Sequence, residues 1–357
     1  MGLMNKVYNM AYIGFGGMAS HHFNQSKELD RINVKGIYDI NPERVEYAKS
    51  VGLVTYSSRE ELLADEDIDL VLIAVPNDLH KDFAIEALRA GKNVLCEKPV
   101  TITSDELKEI MAVRDETGKI FAIDQNRRVN KDFVAMKRAV EAGLLGDVYV
   151  IESRVEGSRG VPAGWRTTKS QGGGMMLDWG VHLIDQLMYM YDSKVTEVFC
   201  KMYKVNYDDV DDNFRLMLTF ENGITAHIEV STNNFISHPR WYVLGKDGTL
   251  QIDGWEAEGR VVRCKRREDT WGAEIKKNKV GPSKTMAPRS EDSVEEIAIH
   301  APTDVVDNLN PVYWQLIDAL DGTAPLKITP EQALRVVKVM EAAFESSEKG
   351  MLVKTSI

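Results

Sequence analysis

Val7-Tyr-Asn-Met-Ala-Tyr-Ile-Gly14-Phe-Gly16-Gly17-Met18-Ala19 is the stretch on which the fold turns. Val7 to Phe15 has the length and apolar content of a buried strand, the glycines overlap its end, and a helical segment stands behind them. Strand, tight turn and helix in that order form a dinucleotide-binding entry. The glycines let the backbone turn sharply and approach a pyrophosphate, which rests on the helix N-terminus. A plain structural glycine turn is the alternative. Asp39 closes the next apolar run about 20 residues past the turn, where a carboxylate accepts hydrogen bonds from the adenosine ribose hydroxyls. Ile40, Asn41 and Pro42 supply no arginine for a ribose phosphate, and Asp39 would repel one, so NAD is expected over NADP.

Outward from this turn the first third keeps one rhythm. Val34 to Tyr38, Leu70 to Val75, Asn93 to Cys96 and Ile120 to Ile123 read as strands. Pro42 to Ser50, Leu79 to Ala90 and Ser104 to Thr117 have helical spacing. The alternation means βαβ units and a parallel sheet. Past about residue 127 the rhythm changes. A helix over Phe133 to Ala142 precedes extended runs at Val148 to Ser158, Val195 to Asn206, Phe214 to Phe220, Ile224 to Thr232, Trp241 to Leu244 and Thr249 to Ile252. Asn222-Gly223 and Asp247-Gly248 favour hairpin turns between strand pairs. The expected domains are therefore 1–126 and 127–357, the second an α+β unit with an antiparallel sheet. Its helices, Leu177 to Tyr191, Tyr313 to Leu320 and Glu331 to Ser346, are few for a broad sheet. The C-terminal helix is expected to pack back on the first domain, and a second copy of the chain to cover the bare sheet face, giving a homodimer or homotetramer. Trp255 to Ala301 is charged, poorly periodic and reads as a loop.

Composition narrows the function. At 357 residues the chain exceeds the roughly 250–300 that one core supports. A net charge of −11 repels phosphodiester backbones, so nucleic acid is not an expected partner. Cys96, Cys200 and Cys264 form no C-x-x-C pair, which argues against zinc and disulfide frameworks and suits a reducing compartment. His21 and His22 are neighbours that face different ways on a helix, and no carboxylate or Cys stands at ligand spacing, so no metal is expected. No apolar run approaches the roughly 18 residues of a membrane span, and Met1 to Lys6 lacks a signal segment, so a cytoplasmic protein is expected.

Four motifs carry a resemblance over the whole length. They are G-F-G-G-M-A at the turn, A-V-P-N-D-L-H from Ala74 to His80, E-K-P from Glu97 to Pro99, and G-G-G-M-M-L-D-W-G-V-H-L-I-D from Gly172 to Asp185. Together they resemble the glucose-fructose oxidoreductase / inositol dehydrogenase / rhizopine catabolism (Gfo/Idh/MocA) family. The resemblance implies a Rossmann dinucleotide-binding domain of α/β class joined to an α+β domain with a large open, mainly antiparallel sheet. It puts the cofactor on Gly14, Gly16, Gly17, Met18, Asp39, Ile40, Pro76, Asn77, His80, Glu97 and Lys98, and implies a cis peptide before Pro99.

By residue type alone, Glu97 and Lys98 read equally as a solvated loop pair; the resemblance makes Lys98 catalytic. A lysine beside a positively charged nicotinamide has its pKa lowered and can orient a hydroxyl or take its proton. Asp178 and His182 are four apart in a helical stretch and so share a face, where a carboxylate fixes the imidazole tautomer and raises its basicity. The resemblance places both at the substrate, His182 as proton relay or base and Asp178 as hydroxyl acceptor. An inert buried pair is the alternative, and Asp185, one turn on, is either structural or a substrate contact. Trp165 and Arg166 stand in a loop, where an aromatic face stacks on a sugar and a guanidinium holds hydroxyls or a carboxylate; packing is the other reading of Trp165. Asn126 and Arg127 close the fifth strand as binding or hinge residues. The expected activity is NAD-dependent oxidation of a secondary hydroxyl of a sugar, glycoside or inositol-like cyclitol. A redox-neutral glycoside hydrolase with bound NAD and a non-catalytic NAD-binding sensor are the rivals.

Overall fold

The computed structural model describes residues 6–265, 276–277, 279–283 and 289–357. The reading of Met1 to Lys6 rests mostly outside these, as does part of the stretch expected to loop from Trp255 to Ala301.

The first half runs β1 (Tyr8–Ile13), α1 (Gly17–Ser26), β2 (Ile32–Tyr38), α2 (Pro42–Ser50), β3 (Val54–Thr55), α3 (Arg59–Ala64), β4 (Leu70–Ile73), α4 (His80–Arg89), β5 (Asn93–Cys96), α5 (Ser104–Thr117) and β6 (Phe121–Ile123). Its six strands are parallel, in the order β3-β2-β1-β4-β5-β6. The doubly wound topology puts the carboxyl ends of β1 and β4 on either side of the switch point. Local chemistry sets the helix starts. Asn41 caps α2 ahead of Pro42, and Thr103 with Glu106 forms a capping box on α5, which stops at the left-handed Gly118.

The second half comprises α6 (Lys131–Glu141), β7 (Val148–Glu156), α7 (Val181–Met190), β8 (Val195–Tyr203), β9 (Asn213–Phe220), β10 (Thr225–Ser231), β11 (Trp241–Gly245), β12 (Gly248–Ile252), β13 (Gly259–Cys264), β14 (Lys276–Lys277), β15 (Pro282–Ser283), β16 (Val294–Ile299), α8 (Asn310–Asp321), α9 (Pro330–Lys349) and β17 (Val353–Lys354). Nine of these strands form one sheet, β16-β13-β12-β11-β7-β10-β9-β8-β17; β14 and β15 pair separately. The large sheet is mixed, because β7 and β10 run parallel while the other pairs are antiparallel. Two sequence expectations are corrected here. The segment from Trp255 to Ala301 is no simple loop, since β13 and β16 extend the sheet edge. The helix expected from Leu177 begins as a π-helical turn over Met176–Gly180, and α7 proper starts at Val181.

The inner face of the large sheet presents Val198, Phe214, Leu216, Ile228 and Trp241 to α6, α7 and α9. Among the described residues no helix covers the outer face, and Tyr149, Phe199 and Tyr203 are exposed. Helix α9 also packs against α5 and β6, and α8 lies on the parallel sheet, where Leu309, Val312, Tyr313 and Leu316 meet Tyr12, Leu72 and Leu95. Arg31 clamps α8 through a bidentate pair with Asp321 at 2.9 and 2.8 Å. So α8 does not cover the large sheet as its place in the chain implied. No helix among the described residues is long and apolar enough to cross a membrane.

Candidate active site

A cavity of about 770 Å³ opens at the carboxyl ends of β1, β4 and β5 and runs from the glycine turn to the segment before α7. At one end Gly14 holds φ +87°, and a side chain there would lie 2.5 Å from the Ala74 carbonyl oxygen. Only glycine tolerates this close crossing of β1 and β4. A Cβ at Gly16 or Gly17 would meet nothing within 4 Å, so their backbone faces open space. Helix α1 begins there with no side-chain cap and no acidic residue in its first turn, leaving its amides for an anion. These features fit a dinucleotide pyrophosphate. Asp39 lies beyond, its Oδ2 accepting from Phe15 N at 2.5 Å and its Oδ1 from Asn41 N at 2.7 Å.

Ile40, Met18, Pro76, Asn77 and Glu97, which the resemblance assigns to the cofactor, line the cavity, and Asn77 Nδ2 donates to Gly172 O at 2.7 Å. His80 does not. It is fully buried, its ring nitrogens 2.9 Å from Pro99 O and 3.0 Å from Val75 O, and burial lowers its pKa. It braces the backbone behind the cavity rather than facing a ligand. Arg44 and Arg59 line the adenosine end, which the residues next to Asp39 gave no hint of.

The other end gathers Lys98, Arg127, Trp165, Arg166, Asp178, Trp179 and His182. Lys98 is brought there by β5, and its bond to Pro99 is cis. Its Nζ donates to Asp178 O at 2.8 Å and Asp178 Oδ1 at 3.0 Å, while Arg166 Nε stands 3.3 Å from Asp178 Oδ2. Burial would raise the Asp178 pKa, but the two cations outweigh it and hold the group below its ordinary value, as a carboxylate.

The expected Asp178–His182 pair does not form. Lys98 and Arg166 take both carboxylate oxygens, and His182 Nδ1 is buried with no hydrogen-bond partner among the described residues. The ring instead meets Trp179 edge-on, with centroids 5.9 Å apart. Burial first, then the positive charges of Lys98, Arg127 and Arg240, push the His182 pKa well below its usual range, so the imidazole is neutral. Its basicity is lowered, not raised. Asp185 is structural: Arg128 holds it through bonds of 2.7 and 2.6 Å, both residues buried.

Behind Glu97 lies a cluster the sequence did not reveal. His22 Nε2 is 2.8 Å from Glu97 Oε1 and 3.3 Å from Asp124 Oδ2, and its Nδ1 is 2.7 Å from the Tyr313 hydroxyl. The carboxylates missing at sequence spacing arrive from the ends of β5 and β6. Trp179 was also overlooked, although it stands inside the motif that carries Asp178 and His182.

An uncapped glycine turn joined by one cavity to a lysine, a carboxylate and a neutral histidine defines a nicotinamide-dinucleotide-dependent oxidoreductase acting on CH–OH groups. More narrowly, the chain belongs to the Gfo/Idh/MocA oxidoreductase family. Residues 8–125 match the family's NAD-binding Rossmann fold and residues 133–251 its C-terminal domain. Among relatives, scyllo-inositol 2-dehydrogenase (NADP(+)) of Bacillus subtilis is 28% identical over 81% of this chain and 80% of its own. Myo-inositol 2-dehydrogenase of Thermotoga maritima is 25% identical over 72% and 75%. The crystal structure of an NAD-binding protein from Listeria innocua superposes with a TM-score of 0.93 at 43% identity, over 98% of this chain and all of that one.

Proposed function

We propose that the protein oxidises a secondary hydroxyl of a sugar, glycoside or cyclitol with NAD. The observation that carries this reading is the arrangement of Lys98, Asp178 and neutral His182 at one end of the nucleotide cavity. Bound in the cavity, nicotinamide supplies the hydride acceptor. Asp178 anchors the Lys98 ammonium, which orients the substrate hydroxyl by donating to its oxygen. His182, being neutral, accepts the hydroxyl proton, and the surrounding cations favour its return to solvent rather than its retention. Trp165 and Trp179 offer aromatic faces to the carbon skeleton, and Arg166 steadies Asp178.

Asp39 supports NAD over NADP by its charge at the ribose. Arg59 is held by Glu86 at 3.0 Å and lies over Phe83, which leaves Arg44 as the cation in reach of a ribose phosphate. The named specificity of the Bacillus relative differs from this reading, so titration with NADH and NADPH decides it. The exposed Tyr149, Phe199 and Tyr203 on the bare sheet face support a homodimer or homotetramer closed through that face.

The test is NADH formation by purified protein with NAD across inositols, aldoses, sugar acids and glucosides, with Lys98→Met alongside. Turnover on one class that falls by about 10³-fold in the variant is expected. Bound cofactor without net NADH from any compound would overturn net oxidation; glycoside cleavage in that setting would establish the redox-neutral hydrolase.

A further inference from the structure

We infer that the substrate carries a carboxylate, as a uronate or aldonate does, and that Arg127 receives it; this rests on the dehydrogenase reading above. The reacting end of the cavity is lined by three cationic side chains, Lys98, Arg127 and Arg166, and Asp178 is the carboxylate that two of them share. Arg127 is left over. Among the described residues no carboxylate lies within 4.0 Å of it, and its guanidinium makes one long hydrogen bond, 3.4 Å to the neutral Asn130 side chain.

Of the acidic groups whose fields reach Arg127, three face other partners, and the fourth, Asp307, is joined to it only through the neutral Asn130 amide. Asp178 is held by Lys98 at 3.0 Å, Asp132 by Arg240 at 3.1 Å, Asp124 faces His22 at 3.3 Å, and Asp307 accepts from Asn130 at 3.2 Å. Glu97, also in the wall, faces His22 at 2.8 Å. Meanwhile Arg127 is largely withdrawn from water, its guanidinium carbon 4.2 Å from the Trp179 ring centre and 5.4 Å from that of Trp255. A desolvated cation without a counter-ion is costly, and a bound anion relieves that cost.

Stacking occupies the faces of a guanidinium and leaves its edge donors, a fork that matches a carboxylate. Charge selects the carboxylate over a phosphate. Arg127 is the one of these three cations without a carboxylate partner among the described residues, and its single fork matches a carboxylate, whereas a dianionic phosphate calls for a second uncommitted donor set and Lys98 and Arg166 both contact Asp178. A hydroxylated carbon chain bearing a carboxylate then spans from Arg127 to the Lys98–His182 pair, with Trp179 beneath it.

The experiment compares matched pairs with NAD: glucuronate against glucose, galacturonate against galactose, gluconate against sorbitol. Wild-type protein, Arg127→Gln and Arg127→Lys are assayed, with NADH titration and thermal unfolding to report folding. The expected kcat/KM for the acids exceeds that for the neutral partners by at least tenfold. Arg127→Gln lowers this ratio tenfold or more, and Arg127→Lys keeps part of it because it keeps the charge. If Arg127→Gln fails to fold, the wild-type ratio and Arg127→Lys still decide. Neutral sugars oxidised as well as or better than acids, a ratio unchanged in Arg127→Gln, or a phosphorylated sugar preferred over both would each overturn the inference while the dehydrogenase reading stands. No turnover on any compound with cofactor bound would overturn both.

Discussion

Replacing His22 with glutamine tests the charge cluster behind the nicotinamide end of the cavity. Burial alone would lower the pKa of this imidazole, but hydrogen bonds and charge from Asp124 and Glu97 outweigh it and push the pKa from 6.5 up to about 9. The folded value lies above the unfolded one. The stabilisation is therefore complete below pH 6.5 and is lost as the pH rises through about 9. The gap between the two values corresponds to about 3 kcal/mol of folding stability at neutral pH and below. Glutamine retains a donor but no charge, and leaves two buried carboxylates facing each other. Thermal unfolding near pH 6.5 should show a melting point lower by roughly 4 °C in His22→Gln. Urea unfolding followed to about pH 9.5 should show the gap between wild type and variant shrinking by about 3 kcal/mol, because the wild type discharges its imidazolium. A gap that stays constant across this range would refute the reasoning, since it would mean His22 is neutral in the folded protein.

Two further substitutions test the frame of the site. Gly14→Ala puts a side chain 2.5 Å from the Ala74 carbonyl at a φ of +87°, so NADH affinity should fall at least tenfold in a fluorescence titration. A folded variant that binds normally would show the turn to be tolerant. Asp185→Ala strands the buried Arg128 and should cost about 3–5 kcal/mol in urea unfolding. A cost below about 1 kcal/mol, within what an exposed pair contributes, would mean that water reaches the guanidinium.

The parallel sheet was legible because its strands are buried on both faces and read as short apolar runs, with helical spacing between them. β13 and β16 were not. Their segments, Gly259–Cys264 and Val294–Ile299, are short and each carry two charges, Arg260 and Arg263 in one and Glu295 and Glu296 in the other, so they look like solvated loop. The charges make sense only across the ladder, where Arg263 opposes Glu295 and Arg260 bonds Glu296 at 3.1 Å. Helix α8 misled for a similar reason: its apolar face is evident, but the sheet it covers is chosen by tertiary contacts with Tyr12 and Leu95.

At the site, membership was readable and pairing was not. Lys98, Asp178, His182, Arg127 and Arg166 were all named from the sequence, and all line one cavity. Helical spacing nevertheless assigned Asp178 to His182, when the π-helical turn and a lysine 80 positions away decide otherwise. The same gap separates the two histidines. His22 meets two carboxylates and is driven to hold a proton, whereas His182 meets three cations and is driven to shed one. Neither outcome can be read from neighbouring residues, because every deciding charge arrives from another part of the chain. The contrast bears directly on the proposed chemistry. A proton acceptor beside a reacting hydroxyl must be unprotonated at the start, and His182 satisfies this while facing the cavity. His22, sealed behind Glu97 and already charged, does not, so its role is to hold Glu97 and Asp124 in place rather than to take the proton.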